Sequence, residues 1–235
     1  MKQEIPYARY DYAVQPREVD LTKRATIITL GDSILHTAGE DADRIGFGIR
    51  NLQSKDSTWV LSRMAVEIGR LMTTRNFIVT DAGGQRIAAA STLWAMIDVK
   101  TRQPLDLRDN VDYSRALLAI PCPIDKPAKI GRIEGVPCDS RRVRYSDIDF
   151  NQHTNSMKYI QWMLDALPLE KLTGCRMKRL DVNFVHETRY GQQLVVCCEY
   201  GTDRDRFEIR FEDGTAACKA AIRWETSDER SNQTA

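Results

Sequence analysis

With 235 residues, 42% of them apolar, and a net charge of +1, the chain can form one large domain or two of about 100–150 residues each. The near-balanced charge gives no overall mark of a nucleic-acid or anionic-membrane binder. No run of about 18 apolar residues is present to span a bilayer, and Met1-Lys2-Gln3-Glu4-Ile5-Pro6 lacks an apolar signal core.

In chain order, the first predicted helix follows Asp20-Leu21-Thr22-Lys23-Arg24 and takes Ile27, Ile28, Leu30, Ile34 and Leu35 as its apolar positions. A strand is expected over 60–68. Another over 76–80 turns at Gly83-Gly84, where glycine supplies the positive φ of a hairpin. Residues 99–140 hold five of the eight prolines and read as a long extended linker. A second helix takes Met157, Ile160, Met163, Leu164 and Leu167, with Pro168 ending the run. Strands follow over 179–185, 194–200 and 207–211, the last turning at Asp213-Gly214. Residues 226–235 form a polar tail that is expected to fray.

This order repeats. Phe77, Gly84 and Trp94 recur at an offset of 130 as Phe207, Gly214 and Trp224, and an offset of 129 lays Asp20–Arg24 over Asp149–His153. Each half reads as a helix followed by antiparallel strands, so the fold class is α+β, a helix packed on a meander, twice. The halves are unequal. The second has room for an extra strand between Val185 and Phe207, whereas only eight residues separate Ile68 from Phe77, so the first half is shortened by at least one strand. The expected domains are 1–110, a linker over 111–140, a second half over 141–226 that carries the chemistry, and a tail over 227–235.

The six cysteines (Cys122, Cys138, Cys175, Cys197, Cys198 and Cys218) form no CxxC pair, and no His/Cys spacing matches a zinc site. They are expected to be reduced thiols in a cytoplasmic protein. The concentration of chemistry lies in Asp149-Phe150-Asn151-Gln152-His153-Thr154-Asn155. There a carboxylate, an amide and one of only three histidines (His36, His153 and His186) stand two residues apart before a helix. Asp and Asn are also favoured helix caps, so capping is the competing role for Asp149 and Asn151. Asn155 reads as a first-turn helix residue outside the site. Thr22 and Arg24 lack the amide and imidazole, so one site per chain is expected, in the second half.

The tandem arrangement and the Asp-x-Asn-x-His motif resemble the acyl-[acyl carrier protein] thioesterases of plastids and bacteria, which are double hotdog proteins. The resemblance runs through Ile45-Gly46-Phe47-Gly48-Ile49, Thr58-Trp59-Val60-Leu61-Ser62-Arg63, Thr74-Arg75-Asn76-Phe77 and Trp94-Ala95-Met96-Ile97, and it is strongest over 145–155. It implies a tandem hotdog in which Asp149, Asn151 and His153 act with an acidic residue on a later strand, which the spacing identifies as Glu187. By strict alternation Glu187 faces away from Leu180, Val182 and Phe184, so a bulge near Phe184-Val185 is needed to redirect it. Plastid members commonly carry a cysteine after that glutamate. Here Thr188 stands there, so a cysteine-protease-like route is closed.

The resemblance further implies hydrolysis of fatty acyl-[acyl carrier protein] to free fatty acid and holo carrier, without metal or organic cofactor. Asp149 would act either as nucleophile or as base on water. Asn151 would donate a hydrogen bond, His153 would orient Asp149 or carry a proton, and Glu187 would activate water. Arg141, Arg142, Arg144, Lys158, Lys171, Arg176, Lys178 and Arg179 give the second half a basic bias that suits an acidic carrier protein or is simply solvated surface. An acyl-CoA thioesterase and a non-catalytic acyl-binding hotdog are the rival readings. No nucleic acid or membrane is expected as a partner, and the assembly is a monomer or a homodimer.

Overall fold

The computed structural model describes residues 8–15, 18–19, 25–54, 57–67, 75–98, 100–101, 103 and 122–225. The expectations for Asp20–Arg24, for residues 104–121 of the linker and for the tail after residue 225 lie outside them. The chain divides into two compact units, residues 1–61 with 94–121 and residues 62–93 with 122–235.

In the first unit, α1 (Ile27–Arg44) opens on Thr26, whose hydroxyl accepts the Thr29 N–H at 3.1 Å. Ile27, Ile34, Ala38 and Ala42 are buried along one stripe of that helix, at the spacing a 3.6-residue period requires. A short helix α2 (Ile49–Gln53) follows, and Trp59 donates its indole N–H to the Phe47 carbonyl at 2.8 Å.

The second unit contains most of an antiparallel sheet. In chain order its strands are β1 (Ser57–Glu67), β2 (Arg75–Thr80), β3 (Arg86–Asp98), β4 (Val136–Arg142), β5 (Met177–Phe184), β6 (Gln193–Glu199), β7 (Arg204–Phe211) and β8 (Ala216–Trp224). Among the described residues they are ordered β2-β3-β1-β5-β8-β7-β6-β4. The repeat is visible in that order. β1, β2 and β3 correspond to β5, β7 and β8, and the antiparallel pairing of β1 with β5 joins the copies, Met64 opposite Val182. β6 and β4 have no counterpart among the described residues of the first copy. Gly84 and Gly214 hold φ of 82° and 85° at the β2–β3 and β7–β8 turns, the left-handed geometry for which glycine was expected.

Helix α3 (Ser156–Asp165) buries Met157, Tyr159, Ile160, Trp162 and Met163. Each such side chain contributes about 1.5–3 kcal/mol by leaving water. Tyr159 meets the Phe184 ring edge-on at 6.0 Å, which seats the helix on the β5 face that carries Leu180, Val182 and Phe184. Pro168 does end the α3 run, and it also opens a further short helix, α4 (Leu169–Gly174).

The opposite face of the sheet is covered by the chain itself. Residues 122–135 run extended across it, bound by side chains of successive strands. On β5, Arg179 donates to the Asp125 and Lys126 carbonyls and Asp181 accepts the Ala128 N–H. Asn183 accepts from the Ile130 N–H and donates to the Ala128 carbonyl, both at 2.8 Å, as a neighbouring strand would. Lys219 on β8 reaches the Gly131 carbonyl, Arg206 and Arg210 on β7 reach those of Arg132 and Ile133, and Glu199 on β6 accepts the Glu134 N–H. Ile124 packs with Ala65 and Ala89, and Ile130 and Ile133 pack with Ala221. A side chain at Gly135 would meet the Cys198 backbone carbonyl at 2.6 Å, so the strap can approach β6 there only as glycine.

Two expectations are corrected. The extended linker stops short of residue 140, because Val136–Arg142 forms edge strand β4. Pro137 is tolerated there because an edge position and a register shift between Pro137 and Asp139 relieve it of a ladder hydrogen bond. Nor are all six cysteines thiols. Cys138 and Cys198 are joined in a disulfide between β4 and β6, a pairing set by strand register that sequence spacing could not reveal.

Candidate active site

Between β4 and α3 the chain makes a 3₁₀ turn (Tyr145–Asp147) and then a small hairpin. Ile148 pairs with Thr154, Asp149 N–H donates to the His153 carbonyl at 2.9 Å, and Gln152 N–H donates to the Asp149 carbonyl at 3.0 Å. The same bonding pattern closes the β2–β3 and β7–β8 turns, from Asp81 to Gln85 and from Phe211 to Thr215. Those two turns place glycine in the left-handed position, whereas the site hairpin holds Gln152 there at φ 65°. A non-glycine residue in this region is strained, and such strain collects at functional sites.

The hairpin explains the spacing of the motif. Asp149 and His153 face each other across it, and directly opposed residues hold their Cβ atoms about 4.5–5.5 Å apart on one side. Asp149 Oδ1 accepts the Asn151 N–H at 2.9 Å, which fixes the carboxylate, and Oδ2 has no protein partner among the described residues. Asn151 is exposed at the tip. Neither residue caps α3. That role belongs to Asn155, whose side chain accepts the Met157 N–H at 2.8 Å and whose own N–H is anchored on the Asp147 carbonyl. Asn155 is thus the cap itself rather than a first-turn residue, and the capping role drops away for Asp149 and Asn151.

Glu187 reaches the hairpin by the required irregularity. β5 ends at Phe184, and the N–H groups of Val185 and His186 both donate to the Ala217 carbonyl, at 2.9 and 3.0 Å. Two residues set against one is a bulge, and it turns the following side chains over. Glu187 Oε2 then lies 3.2 Å from His153 Nε2, with the two side chains 32% and 20% exposed. His186 is engaged elsewhere, its Nδ1–H donating to the Ala216 carbonyl, and His36 contacts the Tyr12 hydroxyl at 3.0 Å.

Beneath this pair lie Thr154 and Tyr159, for which the sequence suggested no role in the site, and Thr188, which it marked only for lacking a thiol. Thr188 is fully buried, with Thr154 and Tyr159 beside it. Thr154 N–H donates to the Thr188 carbonyl at 2.8 Å, the two hydroxyls are in contact, and the Tyr159 hydroxyl lies 2.8 Å from Thr188 Oγ1. Burial pushes the Tyr159 phenol up to about 12, against the lowering effect of its bonds to Thr188. A tyrosine on the apolar face of a helix was the available signal, since a buried phenol needs a hydrogen-bond partner.

The basic bias of this half is largely neutralised internally. Arg141 pairs with Asp139 and Asp165, Lys158 with Asp147, Lys171 with Asp205, Arg176 with Glu225 and Arg179 with Asp181. Arg142 and Arg144 are exposed beside a cleft of about 410 Å³ that Asp147 and Lys158 also line. Among the described residues no cluster of three or more His, Cys, Asp or Glu is arranged to hold a metal ion, and no helix is long and apolar enough to cross a membrane.

The fold and this sequence have known relatives. The crystal structure of an acyl-ACP thioesterase from Bacteroides thetaiotaomicron is 31% identical and superposes with a TM-score of 0.81, over 92% of this chain and 96% of that one. The chain belongs to the acyl-ACP thioesterase family. The profile of the acyl-ACP thioesterase C-terminal domain matches residues 134–226, the part that holds the Asp149 hairpin and Glu187. The 12:0-ACP thioesterase of Umbellularia californica shares the fold, with a TM-score of 0.79 at 16% identity over 96% of this chain and 99% of that one. The chloroplastic acyl-[acyl-carrier-protein] hydrolase FATB1 of Cuphea viscosissima is 24% identical over 96% of this chain, which spans 63% of that protein's length. The fold is a double hotdog, as the resemblance implied, and the chain covers a little under two thirds of its curated plant relatives.

Proposed function

We propose that this chain hydrolyses fatty acyl-[acyl carrier protein], releasing free fatty acid and holo carrier protein. The observation that carries the reading is the 3.2 Å contact between His153 and Glu187, made by two segments that only the hairpin and the β5 bulge bring together, on a chain of this family. Asp149, fixed through Oδ1, takes a proton from water at Oδ2. The resulting hydroxide attacks the thioester carbonyl, and the exposed Asn151 amide donates to the oxyanion. The proton passes across the hairpin to His153, whose cationic form Glu187 stabilises, and then to the departing thiolate of the phosphopantetheine arm. Water thus supplies the hydroxyl of the acid and the proton of the thiol.

Arg142 and Arg144, exposed beside the cleft, are the charges that an acidic carrier protein would meet. The β1–β5 pairing already joins the two repeats within one chain and supports a monomer as the working unit.

The test is hydrolysis of an acyl-[acyl carrier protein] series of increasing chain length, with the matched acyl-CoA esters alongside. Faster turnover of the carrier-protein substrates is expected. Equal or faster turnover of acyl-CoA would transfer the chain to the rival thioesterase class, and no turnover by folded protein would leave an acyl-binding role.

A further inference from the structure

The hydroxyls under the site have a geometry that core filling does not require. Tyr159 is placed by its ring, which meets Trp162 and Phe184 edge-on, and phenylalanine would fill the same space. Its oxygen does more. It accepts the Thr188 N–H at 3.2 Å and shares a hydrogen bond with Thr188 Oγ1 at 2.8 Å, and Thr188 Oγ1 shares another with Thr154 Oγ1. The Thr188 carbonyl accepts the Thr154 N–H. These two threonines are the sequence neighbours of Glu187 and His153, the pair in contact above them.

We propose that Tyr159 is a positioning residue for the reaction: its hydroxyl, through Thr188 and Thr154, ties the Glu187 loop to the Asp149–His153 hairpin and sets the contact between His153 and Glu187. This rests on the hydrolytic reading of the site. The Glu187 loop follows a bulge and the hairpin carries a strained Gln152, so neither segment is held by regular strand pairing at the point where the two side chains meet. The buried hydroxyl chain supplies that registration. Burial raises the phenol further above its ordinary value, so the hydroxyl keeps its proton throughout the neutral range.

Tyr159→Phe removes only the oxygen. Thr188→Val removes the central hydroxyl at nearly constant shape, and Thr188→Ser restores it. Asn183→Leu, on the far face of the sheet, serves as a variant that alters stability alone. Misplacing a catalytic group by about 1 Å costs up to about 10²-fold in rate. Tyr159→Phe and Thr188→Val are therefore expected to lower kcat about tenfold or more with KM nearly unchanged, whereas Thr188→Ser stays near the parent.

A second readout does not depend on turnover. With only three histidines in the chain, the ring resonances of His153 can be assigned by single substitutions. In Tyr159→Phe they should move toward their positions in Glu187→Gln. Folded Tyr159→Phe with parental kcat and unmoved His153 resonances would overturn the proposal. If Tyr159→Phe does not fold, Thr188→Val against Thr188→Ser decides by the same readouts. If the parent hydrolyses no thioester, the functional reading fails while the resonances still decide the positioning.

Discussion

Thr154 and Thr188 are joined twice, once by a backbone hydrogen bond of 2.8 Å and once through their hydroxyls, although 34 positions separate them in the chain. Each is the immediate neighbour of one member of the His153–Glu187 pair. The His153–Glu187 contact is thus built directly onto a structural one. Thr188 ties two loops together through its carbonyl and its hydroxyl.

The catalytic assignments separate cleanly by substitution. Asp149→Asn and His153→Ala should each lower kcat by about 10²–10⁴-fold, the range associated with a positioned acid or base. Both side chains are only half-buried, so circular dichroism and the melting temperature should stay close to the parent. Glu187→Gln keeps a polar partner for His153 but removes its charge, and its loss should be smaller. An Asp149→Asn enzyme with near-parental turnover would remove the assignment.

The site hairpin can be compared with its two glycine counterparts. Gln152→Gly should be neutral or slightly stabilising, because it relieves a left-handed residue while adding freedom to the unfolded chain. Gln152→Val, β-branched at positive φ, should cost about 1–2 kcal/mol. Urea unfolding of the two variants gives the comparison, and a Val variant as stable as the Gly variant would mean the turn is not left-handed in solution.

The strap over the back of the sheet predicts a local effect. Asn183→Ala removes both side-chain bonds to Ala128 and Ile130 and leaves those backbone groups without their partner, at a cost of about 1–3 kcal/mol. Limited proteolysis should then cut within residues 122–135 faster than in the parent. Unchanged cleavage would show that the strap is held by its isoleucines alone.

Acid should expose one buried network. Burial raises the Glu208 carboxyl, but its bonds to Arg210 and Lys219 outweigh this and hold it below the ordinary glutamate range. A carboxyl depressed in the folded state adds stability that is complete above its unfolded pKa and is lost as pH falls through the folded value. The melting temperature should therefore decline below about pH 4.5, the reference value. Glu208→Gln should be less stable at neutral pH and show a flatter decline.

Much of this architecture was legible in the residues. Apolar spacing gave α1 and α3, glycine marked two hairpins, and the 130-residue offset exposed the repeat. The Asp149–His153 motif drew notice to a segment that the structure folds as a hairpin, with Asp149 opposite His153. What could not be read depended on contacts distant in sequence. Arg179, Asp181 and Asn183 alternate as a solvent face would, yet they are buried because the chain returns over them. The Glu187 bulge was expected near Phe184-Val185 and falls at Val185-His186, whereas the Cys138–Cys198 bond depends on a strand register that no spacing rule supplies.

The strap also bears on how this protein can be dissected. A fragment cut at residue 134, where the C-terminal family match begins, would leave behind Ile124, Ile130 and Ile133. It would present the charged ladder of β5 and the bare Ala221 of β8 to water, and such a piece should be sticky and poorly folded. The smallest autonomous version of the C-terminal half has to begin no later than Cys122, so a stretch that looks like a dispensable tether behaves as an internal chaperone for the sheet it crosses.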